Sequence, residues 1–77
     1  MLFDVVQRTW GPESVPGRQR LGALRVETVA TCPTLGEAAV AAKASAAKYV
    51  AHGHNRRRGY WWGRDDWLRY TFVIEVR

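Results

Sequence analysis

The sequence has little cysteine, little acid and no long apolar run, and each shortage closes off a class of protein. Cys32 is the single cysteine among 77 residues, so no disulfide can form within the chain, and a lone thiol fits a reducing cytoplasm. Only 7 acidic residues stand against 12 basic ones, a net charge of +5. That balance biases encounters toward polyanions, whether acidic protein surfaces or nucleic acid. No stretch approaches the roughly 18 apolar residues of a membrane span, so no membrane partner is expected. The start MLFDVVQRTW lacks the basic-then-apolar order of a secretion signal. One domain is expected, near the lower size at which a hydrophobic core suffices without staples.

Proline is scarce and two of the three fall together. Residues 11–19, GPESVPGRQ, hold Pro12 and Pro16 with Gly11 and Gly17, and read as an irregular connection. Before it, residues 2–10 are rich in β-branched and aromatic types and predict a first strand. After it, residues 20–31 predict a second, with Leu24, Val26, Thr28 and Ala30 on one face. Pro33 closes that strand, and Thr34-Leu35-Gly36-Glu37 has the form of a capping box. A helix is predicted from about Leu35 to Ala51, with Gly53 as its C′ residue. Its buried stripe is expected to hold Leu35, Ala39, Ala42, Ala46, Tyr49 and Val50. So much alanine brings a helix close to its neighbour but adds little bulk, which the sheet must supply.

A second hairpin is predicted from Tyr60-Trp61-Trp62, a turn at 63–66, and a long strand from Trp67 to Val76. Leu68, Tyr70, Phe72, Ile74 and Val76 would meet the helix, leaving Trp67, Arg69, Thr71, Val73 and Glu75 on the other face. The expected fold is α+β, β-β-α-β-β, an antiparallel sheet with one helix on one face. A single helix leaves the other face open for solvent or binding.

What the chain has in abundance is arginine and tryptophan. Ten of the 12 basic residues are arginine, and there are four tryptophans. From His52 to Tyr70, Arg56, Arg57, Arg58, Arg64 and Arg69 interleave with Tyr60, Trp61, Trp62, Trp67 and Tyr70. Tryptophan, tyrosine and arginine are enriched in binding hot spots, and aromatics among cations also stack unpaired bases. Adjacent in a strand, Trp61 and Trp62 must point to opposite faces, so at least one helps to fill the core. Trp67 is the best candidate for exposure, and with Arg25 and Arg69 it would form a patch on the open face. The candidate partner-binding residues are Arg56, Arg57, Arg58, Trp61, Arg64, Trp67, Arg69 and Arg25.

Catalytic and metal signatures are missing. His52 and His54, with Asp65, Asp66 or Cys32, match no zinc spacing, and read as surface residues. Asp65-Asp66 reads as ordinary turn chemistry, and neither Ser14, Ser45 nor Cys32 sits in a nucleophile motif. The chain is expected to be a non-enzyme with no cofactor.

In size and layout, residues 24–76 resemble the small phage-encoded inhibitor proteins, particularly some anti-CRISPR proteins. The shared features are a strand, the T-x-x-E-A helix start (Thr34 to Ala38) and a following aromatic hairpin. The resemblance implies a phage protein in the host cytoplasm that occupies a protein surface of a CRISPR effector complex. Many anti-CRISPR proteins are acidic, and the basic charge of this chain argues against DNA mimicry. The families share no common motif, so the resemblance assigns no residue roles. The expectation is a protein-binding inhibitor that blocks a nucleic-acid-processing complex sterically, its partner presenting an acidic surface. A nucleic-acid-binding module using the basic loop and exposed aromatics is the alternative, and a homodimer through the aromatic face is a third arrangement.

Overall fold

Hydrophobic alternation decides where the strands run, and packing decides where the helix stops. The computed structural model of the protein describes residues 1–11 and 23–77. The order is β1 (Phe3–Trp10), β2 (Arg25–Cys32), α1 (Leu35–Ala46), β3 (Ala51–Asn55), β4 (Tyr60–Arg64) and β5 (Arg69–Val76). All strand pairs are antiparallel in one sheet ordered β2-β1-β5-β4-β3. Among the described residues strands take 52% and the helix 18%, so the fold is mostly sheet, with one strand more than the expected β-β-α-β-β.

The two strands that flank α1 in sequence lie at opposite edges of the sheet, so the helix must cross its whole face. It touches all five strands. Ala38, Ala42 and Ala46, one turn apart, are buried against Val5 of β1 and Phe72 of β5. With only methyl groups on this stripe the helix lies close to the sheet, and Phe72 and Val5 are the largest fully buried side chains. Phe3, Trp61, Tyr70 and Ile74 add half-buried bulk around them. The sheet supplies the volume, as the alanine content requires.

The stripe and the end of the helix both differ from the expectation. Leu35 is exposed and Val50 wholly so, and the buried row is Ala38-Ala42-Ala46 instead of one through Leu35 and Ala39. Thr34 does cap the helix, accepting from the Glu37 N–H at 3.2 Å. The helix ends at Ala46, not Ala51. The Lys48 and Tyr49 N–H groups bond to the carbonyls of Ser45 and Ala46, a tightening to i→i−3 that ends the helix. Tyr49 then lies flat on Tyr70, ring centroids 4.3 Å apart and planes at 17°. A helix continuing to Ala51 would run into β3, which starts at Ala51 and contains Gly53, the residue expected to end that helix.

In β2 a bulge resets the alternation. Ala30 pairs with Val5 while Thr28 pairs with Val6, leaving Val29 extra. Ala30 therefore faces the helix, whereas Thr28 and Val26 face away; the four residues expected on one side are divided. The connection expected at 11–19 and the start of the second strand at 20–22 lie outside the described residues, except Gly11. The last hairpin turn is shifted, occupying 65–68 in place of 63–66, so Trp67 sits in the turn and β5 begins at Arg69.

Candidate binding groove on the open sheet face

The face turned away from the helix can be read row by row from the strand register, since directly opposed residues share a side. Trp10, Arg69 and Arg64 make one row, and Arg8, Thr71, Trp62 and Gly53 the next. Val6 and Val73 pair in the third, with Tyr60 and Asn55 beyond them. Small side chains on β5, Thr71 and Val73, thus form a floor. Trp10 and Arg8 of β1 wall one side; Arg64, Trp62 and Tyr60 of β4 wall the other. These residues line a cavity of about 790 Å³.

Local contacts hold the walls. Trp10 leans inward and its Nε1–H donates to the Thr71 hydroxyl at 3.0 Å. Trp62 leans outward, its indole lying against Gly53 of the edge strand. A Cβ at Gly53 would come within 2.8 Å of Trp62 Cζ2, so glycine is what lets the ring settle there. Asn55 Nδ2 reaches the Tyr60 hydroxyl at 3.4 Å.

Charge on this face is positive and its acids are occupied. Among the described residues, three arginines and no carboxylate line the groove. Glu75, further along β5, accepts from Arg8 at 3.0 Å. Asp4 holds Thr31 and Arg77 at 2.7 and 3.2 Å. Asp65 is bound into its own turn. The N–H groups of Leu68 and Trp67 donate to Oδ1 at 2.7 and 2.9 Å, and Tyr70 donates to Oδ2 at 2.9 Å. Those three donors, the backbone pair first, hold its carboxyl below the usual range. Burial, with the Asp65 carboxylate beside it, pushes the Tyr70 hydroxyl up to about 12. Burial and the same carboxylate also raise Tyr49.

The expected site residues divide. Arg64 and Arg69 pair across β4 and β5 and line the groove. Arg56, Arg57 and Arg58 lie exposed at the tip of the β3–β4 hairpin. That tip is closed by Gly59 N–H to the Asn55 carbonyl at 2.8 Å, with Gly59 at φ +76°. Asn55 Oδ1 also accepts from the Arg58 N–H at 3.1 Å. The triplet is therefore a shaped turn and not a loop following a helix. Trp67 is 76% exposed.

Two residues are not where the patch needed them. Trp61 faces the helix side, opposite Phe72, and stacks on His54 with centroids 4.1 Å apart and planes at 2°. Arg25 opposes Thr9, which opposes Tyr70, so the bulge has put it on the helix side too, where it pairs with Glu27 at 3.5 Å. No patch of Trp67, Arg69 and Arg25 forms. Trp10, Trp62, Tyr60 and Arg8 are the groove residues that sequence reasoning passed over. The register of β5 against β1 places Trp10 and Arg8, and that against β4 places Trp62 and Tyr60; both become readable only once those strands are known to be neighbours.

Among the described residues no cluster of histidine, cysteine and acidic groups could hold a metal, and no helix is long and apolar enough to cross a membrane. Comparison with protein families, curated proteins and solved structures found no match.

Proposed function

We propose that this protein is a binding module that works by occupancy, seating its open sheet face and the arginine tip of the β3–β4 hairpin on an anionic macromolecule. The observation that carries this reading is the groove lining, which among the described residues has three arginines, three aromatic side chains on its walls and no carboxylate. Asp65, Asp66 and Glu75 interrupt the basic sequence, which would weaken binding to a polyanion. In the fold Glu75 pairs with Arg8, which cancels both charges, and Asp65 is held within its own turn, so the positive surplus lies at Arg64 and the exposed Arg56–Arg58 tip.

Retention on immobilised heparin tests it. The protein should elute well above physiological salt. Replacing Arg56, Arg57 and Arg58 together by alanine, or Arg64 alone, should bring elution to lower salt without moving the thermal midpoint. Elution in the flow-through at low salt would overturn the reading.

A second form of the proposal has a protein as the anionic partner. Steric blockade of a nucleic-acid-processing complex is the action implied by the resemblance to phage-encoded anti-CRISPR inhibitors. The observation favouring it is Trp67, exposed to 76% in a turn locked by Asp65. A rigid exposed tryptophan is a typical interface anchor. In this form Trp67→Ala abolishes partner capture; in the nucleic-acid form it leaves binding within about twofold, since Trp67 does not line the groove.

A further inference from the structure

We infer that the groove over β5 seats one unpaired nucleic-acid strand, its bases on Trp62 and Tyr60 and its phosphates at Arg64. This rests on the anionic-partner reading and narrows it to a single class. A polyanion without rings, such as polyglutamate, would use the arginines and leave the aromatic walls idle. A duplex would do the same, because its base faces are already stacked and only edges and backbone are presented. Only an unpaired strand offers both features that the groove answers: exposed ring faces and a phosphate at every step.

The geometry suits that ligand. Tyr60 and Trp62 alternate along β4 and stand about 7 Å apart on the same side. The floor beside them is Thr71 and Val73, too short to stack or to block. The walls are two strand spacings apart, about 10 Å, wide enough for a base laid against one of them. Trp62 is drawn away from the floor onto Gly53, which keeps the channel open. At the end of β4 next to the turn, Arg64 stands beside the rings in the groove lining, where a backbone passing over them would run. Thr71 Oγ1 accepts from Trp10, which fixes the far wall before any ligand arrives.

The test uses the full chain and four labelled probes: oligo-dT, oligo-U, a blunt DNA duplex, and polyglutamate. Fluorescence anisotropy gives affinity and its salt dependence. Both unpaired probes should bind, and the better of the two decides whether DNA or RNA is preferred. Trp62→Ala should weaken them by about 5- to 150-fold, the loss of one base stack, while Trp62→Phe keeps most of the affinity. Arg64→Ala should lower the slope of log K against log salt by about 0.7, one phosphate on a single strand. Far-ultraviolet circular dichroism and a thermal melt of each variant separate lost binding from lost fold. Should Trp62→Ala fail to fold, Tyr60→Ala carries the same test from the neighbouring position. Equal binding of duplex or polyglutamate, indifferent to Trp62 and Tyr60, would overturn the inference while leaving the anionic-partner reading intact. Failure of every probe to bind would overturn both.

Discussion

At the scale of single residues, two glycines decide where two rings lie. A Cβ at Gly63 would stand 2.4 Å from Tyr49 Cδ2, so Gly63→Ala must push the Tyr49–Tyr70 stack off the sheet. The expected cost is about 1–3 kcal/mol, read from urea unfolding. Gly53→Ala meets the far end of a side chain at the sheet edge. It should cost less, but shift Trp62 toward the groove and change its emission. Asp65 and Tyr70 make a second prediction, about pH. The Asp65 carboxyl holds its proton less readily in the folded chain, so its contribution is present above the ordinary carboxylate range and fades as pH falls through its lowered value. Tyr70 holds its proton more tightly when folded. Its contribution is complete below 10 and is lost as pH rises through about 12. Thermal midpoints measured across pH should therefore fall at both extremes. In Asp65→Asn the acid-side fall should shrink, and tyrosinate should form at lower pH. An unchanged profile would mean that the turn does not depend on this carboxylate.

At the scale of elements, the helix is short and alanine-faced, so its end contacts matter. Thr34→Ala should cost about 1 kcal/mol through loss of the N-cap, seen as a lower midpoint in urea. Phe72→Ala removes the largest buried side chain under the alanine stripe and should cost about 3–5 kcal/mol. For a domain this small that could abolish folding. These elements also show what a sequence discloses. The cap was legible because Thr34 and Glu37 stand at fixed spacing. The final strand was legible because Tyr70, Phe72 and Ile74 alternate strictly with Arg69, Thr71 and Val73. Strand β3 was not, since AHGHN has no β-branched residue and continues the helix's small-residue run. The fold makes it a strand through its pairing with β4. The β2 bulge was equally hidden: one extra residue, Val29, reverses every face before it, and nothing local marks it. This moved Arg25 out of the candidate patch, while the facing of Trp10 into the groove depended on the long-range β1–β5 register.

At the scale of the whole molecule, the sheet order places β1 between β2 and β5, and β5 at the centre. The first and last strands, Phe3–Trp10 and Arg69–Val76, are paired along their full length, across nearly the whole chain. Topologies dominated by distant pairings fold in about milliseconds to seconds. Stopped-flow refolding followed by tryptophan emission should fall in that range, and a microsecond phase carrying the full amplitude would contradict it. The groove is subject to the same constraint. Its floor is β5 and one of its walls is β1, so no local segment contains the site. On the ribosome, a nascent chain that has released the hairpin tip with Arg56, Arg57 and Arg58 already exposes that basic turn, but the channel beside it does not exist until the central strand has emerged. The groove therefore forms only with β5, and truncation just before Arg69 should yield a chain that keeps the arginine turn and most of the positive charge but none of the groove.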